Sequence, residues 1–399
     1  MKRRNIYWLP NAILFYAQRN KKRDPDLWLF GAWRGKKYDD NSRYLFEYVN
    51  MYCPQIKAIW LSDIDKTVSE VREAGFSAEY SSSKRGRELQ QKAGKVFYTN
   101  GIDDFGNVTF VYGAQIIALW HGTGFKKLYY KGINYKGVKY KIKRIKDKLF
   151  DFVYRDVSIA TSRIAARWIC DCFLVDEKTV YITGLPRNDA FRKDIIKGQV
   201  LPNIVSCDDY RYILYLPTYR PYNNDSIINT ICELSSDTSF VNELRNKKCK
   251  IILKLHPLTT LDAIEVPDVF IIVDDKEVSS IQELMKISDA LITDYSSAIL
   301  DYAILNRPTL LFAPDYEEYC KQSGISDEII TLYKGFAEKS IGELKDHIMF
   351  YLNSKNHECE LTKRINEMYQ DPSITESCFS ENVVRLLEKI DCRSYICEK

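Results

Sequence analysis

The stretch 289–308, which reads DALITDYSSAILDYAILNRP, constrains the fold of this chain more than any other feature. Its apolar run ALIT predicts a short strand buried in a parallel sheet. The polar turn DYSS follows at once, and an apolar helix then runs to the stop formed by NRP. Ser296 and Ser297 lie where helix amides point outward, so the two serines either bind a phosphate or cap the helix.

The same alternation of short strands and helices fills most of the chain, which predicts βαβ units and parallel sheets. Asp40, Asn41 and Ser42 are expected to cap the helix at 43–50. A chain of 399 residues is too long for one ordinary core. Because the segment 193–209 is irregular and polar, we expect an N-terminal domain at 1–195 and a C-terminal domain at 205–399. The predicted strands are LWLFG (27–31), AIWL (58–61), KVFYT (95–99), QIIALW (115–120), TVYI (179–182), YILYL (212–216), IILKL (251–255), VFIIV (269–273), ALIT (290–293) and TLLF (309–312).

Polar side chains follow several of these strands where the strands end. His121 comes directly after QIIALW and before a glycine, and Arg220 and His256 follow two strands of the second half. Open α/β sheets place their active sites at this edge. We therefore predict a chemical role for His121, and an anion site built by Arg220, His256 and the serine pair. Singly, Arg220 is also explained by a surface salt bridge and His256 by a packed turn.

The charge of the chain is unevenly distributed. Residues 1–190 carry 34 Lys and Arg against 20 Asp and Glu, a net charge of +14, and the remainder carries −10. The segment 126–148 alone contains ten basic residues and four tyrosines. Such a segment suits a solvated face, an anionic membrane surface or a nucleic acid, and the tyrosines lead us to favour the membrane and to expect no nucleic-acid partner.

The remaining composition bounds the location and the cofactors. The apolar run 6–17 is too short to span a bilayer, and it is either an interfacial helix or a plain surface helix. Eleven scattered cysteines without a CxxC pair, and no signal-type segment, indicate reduced thiols in a cytoplasmic protein without structural zinc. Since no carboxylate cluster has evident metal-ligand spacing, we expect neither a required metal nor a cofactor.

Five motifs in a fixed order resemble the CDP-glycerol:poly(glycerophosphate) glycerophosphotransferase family of teichoic-acid and capsule polyol-phosphate transferases. They are WHGTGFKKL (120–128), TGLPRND (183–189), LPTYR (216–220), LKLHP (253–257) and ITDYSSAILDYAILNRP (292–308). The resemblance covers roughly residues 27–340. It implies a GT-B fold, in which two Rossmann-like, doubly wound domains face each other across a cleft. It also implies a cytoplasmic protein, peripheral on the inner face of the cell membrane.

The resemblance implies a reaction as well. Glycerol phosphate would move from CDP-glycerol, the donor substrate, to a hydroxyl of a lipid-linked or glycan acceptor, with release of CMP. His121 would be the base, with His256 as the second catalytic candidate. The resemblance assigns the donor phosphates to Arg187, Arg220, His256, Thr293, Ser296 and Ser297, the donor polyol or positioning to Asp294 and Asp301, and the acceptor side to Gly122, Thr123, Lys126 and Lys127.

Two details depart from a simple assignment. A carboxylate beside phosphates is repulsive, so Asp294 must hold either a neighbouring side chain or the polyol. Gly124 and Phe125 stand where the family often has proline or leucine, which affects the acceptor side.

Three other functions remain open at this point. CDP-ribitol is the close rival as donor, and a GT-B glycosyltransferase that uses a sugar nucleotide would keep the same fold. A membrane-docked scaffold is the third alternative. The enzyme is favoured because a scaffold has no need for His121, Arg220, His256 and the serine pair.

Overall fold

The chain folds into two compact units. A computed structural model describes residues 13, 17, 21–106, 109–132, 137–138, 140–142, 155–192, 209–220, 225–256, 259, 265–274, 278, 280–354 and 358–397. Most of the apolar run 6–17, much of the basic segment 126–148 and the expected boundary at 193–208 lie outside the described residues. One unit comprises Met1–Thr123, Leu128–Asp189 and Asp371–Lys399, and the other comprises Gly124–Lys127 and Ala190–Gln370.

Two segments therefore lie across the boundary expected from the sequence. The last 29 residues, Asp371–Lys399, pack with the N-terminal unit, and Gly124–Lys127 packs with the C-terminal unit. In the N-terminal unit, Lys95 donates a hydrogen bond to Asp391 at 2.7 Å, and the Asp189 carboxylate accepts one from the Phe379 amide at 2.7 Å. These contacts explain why the C-terminal helix belongs to the first unit.

The described residues of the N-terminal unit contain a parallel sheet of seven strands. Its order is β3-β2-β1-β4-β5-β6-β7, and every neighbouring pair is parallel. The strands are β1 (Asp24–Phe30), β2 (Lys57–Ser62), β3 (Ala78–Tyr80), β4 (Ala93–Tyr98), β5 (Gln115–Ala118), β6 (Val157–Ala160) and β7 (Val180–Ile182).

The described part of the C-terminal unit contains a second parallel sheet, with six strands. Its order is β10-β9-β8-β11-β12-β13, again with parallel neighbours. The strands are β8 (Arg211–Leu216), β9 (Cys249–Leu253), β10 (Phe270–Ile272), β11 (Ala290–Thr293), β12 (Thr309–Phe312) and β13 (Ala337–Glu338). The α/β class predicted from the alternating pattern is thus confirmed.

Helices connect these strands. The α-helices are α1 (Asp40–Tyr52), α2 (Asp65–Glu73), α3 (Lys84–Lys92), α4 (Arg163–Phe173), α5 (Asp225–Ser236), α6 (Thr238–Asn246), α7 (Ile281–Ile287), α8 (Ala298–Tyr302), α9 (Tyr316–Ser323), α10 (Asp327–Tyr333), α11 (Ile341–Asn353), α12 (Glu360–Tyr369) and α13 (Phe379–Cys397). Among the helices that the structure describes, none is both long and apolar enough to cross a membrane.

Apolar side chains cover both faces of each sheet. Along β1, Leu27 and Leu29 belong to one buried cluster, and Trp28 and Phe30 belong to the cluster on the opposite face. Strand residues alternate between the two faces, so a strand buried on both sides must be apolar at every position. This requirement explains why the predicted strands were continuous apolar runs.

The order of strands fixes where each unit can bind a ligand. In both sheets the winding direction reverses beside the first strand, between β1 and β4 in one unit and between β8 and β11 in the other. Open parallel sheets bind ligands outside the carboxyl ends of the strands at this reversal point. Both sets of predicted site residues therefore belong at these two edges.

Candidate functional site

His121 lies just beyond the carboxyl end of β5, as the sequence predicted, and its side chain is half-buried. Two indole rings flank the imidazole, with ring centroids 4.0 Å away for Trp120 and 5.6 Å away for Trp33. These large rings limit the orientations that the imidazole can adopt. His121 is therefore presented at the strand end with little rotational freedom.

The start of helix α1 anchors the backbone around His121. Asn41 is completely buried, and its side-chain amide donates to the carbonyls of Leu119 and Trp120 at 3.2 and 2.9 Å. Its side-chain oxygen accepts a hydrogen bond from the Arg187 amide at 3.0 Å. The residues expected to cap the helix instead begin it, since α1 starts at Asp40.

Arg187 joins this anchor rather than the C-terminal unit. Its Nη1 donates to the His121 carbonyl at 3.0 Å and to the Asp40 carboxylate at 3.3 Å, and the Arg187 side chain is 9% exposed. The family resemblance had assigned Arg187 to the residues that bind the donor phosphates. In the structure this guanidinium holds the His121 loop of the N-terminal unit.

The backbone around His121 is strained. Trp33, Asp40 and Trp120 have positive φ angles of 51°, 66° and 57°, a region that non-glycine residues rarely occupy. Gly122 has a φ of 128°, and a Cβ at this position would lie 2.5 Å from Arg187 Nη2. Strain of this kind persists where the surroundings enforce it, often at functional sites. The backbone conformation therefore favours glycine here, and a side chain at this position would have to displace the Arg187 guanidinium.

A second buried carboxylate supports the loop that carries Trp33. Asp104 is 1% exposed, and its carboxylate accepts hydrogen bonds from the amides of Arg34 at 2.6 Å and Thr99 at 2.9 Å. The Thr99 hydroxyl accepts a hydrogen bond from the Trp33 backbone amide at 3.2 Å. Burial raises the pKa of Asp104 to about 6, while these backbone donors act in the opposite direction.

The electrostatics keep His121 neutral. Burial lowers the pKa of His121 below its ordinary value of 6.5, and Arg187 lowers it further, whereas Asp40 and the Thr99 backbone raise it. An imidazole with a lowered pKa is unprotonated at neutral pH and can accept a proton.

Thr123, one of the residues predicted on the acceptor side, is buried. Its hydroxyl oxygen lies 3.2 Å from the hydroxyl oxygen of Thr161.

In the C-terminal unit, Asp294 holds a neighbouring loop. It lies at the end of β11, and both of its carboxylate oxygens accept the Thr218 amide, at 2.9 and 3.0 Å. One of these oxygens lies 2.8 Å from Arg220 Nη2. Asp294 is 2% exposed. Of the two roles expected for this carboxylate, the structure shows that it holds a neighbour.

Arg220 is locked between two carboxylates. Besides Asp294, its guanidinium contacts Asp315 through Nε at 2.6 Å and through Nη2 at 3.1 Å, and Nη1 donates to the Thr218 carbonyl at 2.8 Å. The Tyr295 hydroxyl donates to Asp315 at 3.0 Å, and Arg220 is 3% exposed. The salt bridge suggested by the sequence exists, but it is buried rather than on the surface. Few donors of Arg220 are left for a phosphate.

Lys126 and Lys127 belong to the C-terminal unit. The Lys126 ammonium lies 5.4 Å from the centroid of the Tyr319 ring, and Lys127 Nζ lies 3.3 Å from Asp327. Burial lowers the pKa of Lys126 to about 8, while Asp294 raises it and Arg220 lowers it. Of the four residues predicted on the acceptor side, Gly122 and Thr123 thus lie in one unit and the two lysines in the other.

The serine pair begins helix α8 without a full cap. Ser296 accepts the Ala298 amide at 3.3 Å, whereas the Ser297 side chain forms no capping hydrogen bond within the described part of this helix. Both serines are half-buried. Thr293 is fully buried and donates to the Leu216 carbonyl at 2.7 Å. Thr293 therefore ties β11 to β8, and the serines remain the accessible hydroxyls of this strand end.

The other two predicted residues differ in exposure. His256 is exposed beyond the end of β9, and its ring stacks on Tyr219 with centroids 4.7 Å apart. Asp301 is 1% exposed within α8, which suits a positioning role better than contact with a polyol. Within the described residues, no three histidine, cysteine or acidic side chains form a group that could hold a metal ion.

Sequence reasoning missed Asp40, Asn41, Asp104 and Asp315 as parts of these two sites. Each forms hydrogen bonds or ion pairs with residues distant in sequence, up to 147 positions away for Asp40 and Arg187. The signal available was a polar residue at the start of a helix or in a turn, and capping explains such residues equally well. Only the fold reveals their partners.

Comparison with known proteins gives consistent matches. The chain is 29% identical over 342 residues to the teichoic acid poly(glycerol phosphate) polymerase of Staphylococcus epidermidis, covering 80% of this chain and 46% of that protein. It is 30% identical over 266 residues to the teichoic acid ribitol-phosphate primase of Bacillus spizizenii, covering 64% of each. The chain thus spans less than two thirds of the length of either relative.

The fold and a family model agree with these relatives. The solved structure of the wall teichoic acid polymerase TagF has a TM-score of 0.69 at 22% identity, covering 98% of this chain and 95% of that one, which shows a shared fold. The family model for CDP-glycerol:poly(glycerophosphate) glycerophosphotransferase matches residues 13–389. The resemblance drawn from the five motifs is thereby confirmed, and the chain belongs to the CDP-glycerol:poly(glycerophosphate) glycerophosphotransferase family.

Proposed function

We propose that this protein transfers glycerol phosphate from CDP-glycerol to a hydroxyl of a lipid-linked or glycan acceptor and releases CMP, in the synthesis of a teichoic-acid-type or capsular polymer. The observation that carries this proposal is the half-buried His121 at a strand end, where Asn41 and Arg187 hold the backbone and burial lowers the pKa of the imidazole. Family membership and the similarity to a teichoic acid poly(glycerol phosphate) polymerase support the same reaction.

His121 acts as the general base in this reaction. The acceptor hydroxyl forms a bond to the phosphorus of the glycerol phosphate while its proton passes to the imidazole. The bond between this phosphorus and the CMP oxygen breaks, and its electron pair leaves with CMP. Because a hydroxyl is a poor nucleophile at neutral pH, a base with a pKa near or below 7 accelerates the attack.

The donor binds at the strand ends of the C-terminal unit. Ser296 and Ser297 supply hydroxyl groups at the end of β11, and the exposed His256 supplies an imidazole beyond the end of β9, with β8 between these two strands. Asp294 and Thr293 support this edge from inside the sheet. Fixed donors of this kind stabilise the charge that develops on the transferred phosphoryl group. No metal or cofactor is part of this proposal.

One active site then requires both units, and we propose the GT-B arrangement, with the two edges facing a shared cleft. Only four residues, 122–125, separate His121 from Lys126 along the chain. An extended chain advances at most about 3.6 Å per residue, so the covalent link limits their Cα separation to about 18 Å. This short covalent link supports the proposal of one active site built by both units.

The test is CMP release by the purified full chain given CDP-glycerol and a glycerol-phosphate-bearing acceptor. His121→Ala should reduce the rate by about 100-fold or more, within the range for loss of a general base. His347→Ala is the matched control, because this half-exposed histidine on α11 lies outside both sites and should leave the rate unchanged. No CMP release by the wild type from any CDP-polyol would refute the proposal.

CDP-ribitol is the second candidate donor, since the relative with 30% identity is a ribitol-phosphate primase. A panel of CDP-glycerol, CDP-ribitol and a UDP-sugar, compared by kcat/KM, separates these donors. Turnover of the UDP-sugar alone would favour the glycosyltransferase alternative.

We also propose a peripheral position on the inner face of the cell membrane. Its support is the sequence of the segment 126–148, with ten basic residues and four tyrosines. Lysine and arginine near an anionic leaflet each contribute about 1 kcal/mol of attraction.

A further inference from the structure

The segment Gly124–Lys127 follows the His121 motif directly, yet it packs into the C-terminal unit. Lys126 pairs with Ile325 through an antiparallel backbone bridge, and the Lys127 backbone amide donates a hydrogen bond to the Gly324 carbonyl at 3.1 Å. Phe125 is 1% exposed and so anchors the segment. The unit that carries Asp294 therefore fixes the position of Lys126.

The Lys126 side chain lies against the Arg220 cluster. Its ammonium is over the Tyr319 ring, at a distance typical of a cation–π contact. Tyr319 stacks on Tyr295 with centroids 3.7 Å apart, and Tyr295 bonds to Asp315. The ammonium is also near enough to Asp294 for the two charges to interact. A chain of direct contacts thus connects Lys126 to the end of β11.

Without Lys126, the charged side chains at the end of β11 carry a net negative charge, which repels an anion. The single positive charge of Arg220 faces the two negative charges of Asp294 and Asp315, which leaves this group at −1. A pyrophosphate approaching Ser296 would meet that excess negative charge. The Lys126 ammonium supplies the positive charge that brings the group to neutrality, and its flexible four-carbon stem can reorient toward a ligand.

We propose that Lys126 binds the pyrophosphate of the CDP-activated donor, and that Arg220 is a positioning residue that holds Asp294 and the loop at 216–220. This inference rests on the proposed function and deepens it. It moves Lys126 from the acceptor side to the donor side, and it moves Arg220 from ligand contact to support. The same chain segment then carries the base of one unit and a donor-binding cation of the other.

The experiment measures CDP-glycerol binding by calorimetry, and kcat and KM for donor and acceptor, in four full-length proteins. They are the wild type, Lys126→Met, Lys126→Arg and Lys321→Met. Lys321 is the matched control because it is an exposed lysine on α9, the helix that also carries Tyr319. Loss of a charge-assisted hydrogen bond predicts about 10- to 100-fold weaker donor binding for Lys126→Met.

The expected pattern distinguishes a ligand contact from a structural role. Lys126→Met should raise the dissociation constant of CDP-glycerol and the donor KM in a protein that still unfolds in one cooperative thermal transition. Lys126→Arg should recover part of the binding, and Lys321→Met should resemble the wild type. Equal loss in both Lys126 variants with a lowered melting temperature would overturn the inference in favour of a structural lysine.

Two further outcomes separate this inference from the function on which it rests. Unchanged donor binding with a raised acceptor KM in Lys126→Met would return Lys126 to the acceptor side and overturn the inference alone. A wild type that binds and turns over no CDP-polyol would overturn the proposed function and this inference together.

Discussion

Arg220 offers the most decisive test, because a structural and a ligand-binding arginine respond oppositely to the same substitution. The side chains of Arg220, Asp294 and Asp315 are 4%, 3% and 11% exposed. Arg220→Met would leave two carboxylates in the interior with no opposing charge from this guanidinium. The change should therefore destabilise the C-terminal unit before it affects any substrate.

The magnitude follows from the burial of this group. Removing one partner of a buried ion pair typically costs about 3–5 kcal/mol, since the remaining charge stays desolvated. For a domain of 150–250 residues, each kcal/mol lowers the melting temperature by about 2–4 °C, so we expect a decrease of roughly 6–20 °C. An accessible phosphate-binding arginine would instead leave the melting temperature nearly unchanged and weaken donor binding.

The assay compares thermal unfolding of Arg220→Met with that of Arg245→Met in the full chain. Arg245 contacts Asp268 through the same two nitrogens, Nε and Nη2, at 3.0 and 2.6 Å, but these side chains are 47% and 69% exposed. Exposed pairs contribute at most about 1 kcal/mol, so this control should melt close to the wild type.

A double variant tests the coupling within the cluster. Arg220→Met combined with Asp315→Leu should lose less stability than the sum of the two single changes, because it removes one of the uncompensated carboxylates. If Arg220→Met melts like the wild type and only donor binding falls, the assignment of Arg220 as a positioning residue is wrong.

Three further predictions concern the N-terminal unit and the membrane. The kcat/KM for CMP release should fall as the pH decreases, with a midpoint below 6.5, because burial lowers the pKa of His121 and only the neutral imidazole can accept a proton. A midpoint above 6.5 in a pH series would contradict this assignment of the base. Gly122→Ala should lower the rate at least about 10-fold, since a Cβ would collide with Arg187, whereas Gly335→Ala, in open space, should be neutral; equal rates would argue against the loop geometry. The full chain should float with anionic liposomes and release them as salt rises; binding that is absent or insensitive to salt would show that the segment 126–148 has been misinterpreted.

Local sequence predicted the sheet strands well where burial demands a continuous apolar run. The predicted strands ALIT and TLLF coincide with β11 and β12. The strands β3, β6 and β13 were missed. They have two to four residues, and the first and last lie at sheet edges, so their apolar signal is weak.

The apolar helix predicted in the stretch 289–308 is only partly regular. It comprises α8 and a 3-10 turn at Ala303–Leu305, and Asn306 then adopts a φ of 53°. Apolar periodicity specifies that this segment packs on the sheet, but the hydrogen-bond spacing depends on its tertiary contacts. One such contact comes from Asn366, whose side-chain amide donates a hydrogen bond to the Ala303 carbonyl at 2.7 Å.

The sequence alone determined which chemistry the strand ends carry. The positions of the apolar runs along the chain and the residues that follow them placed His121, His256 and the serine pair at carboxyl ends, because apolar runs and turns are local properties. Tertiary structure decided which charged side chains can contact a ligand and which form ion pairs inside the protein. Arg220 and Asp315 are 95 positions apart, and Arg187 and Asp40 are 147 apart. Partners so distant in sequence leave no local signal, and desolvation makes their pairing obligatory once the fold buries them.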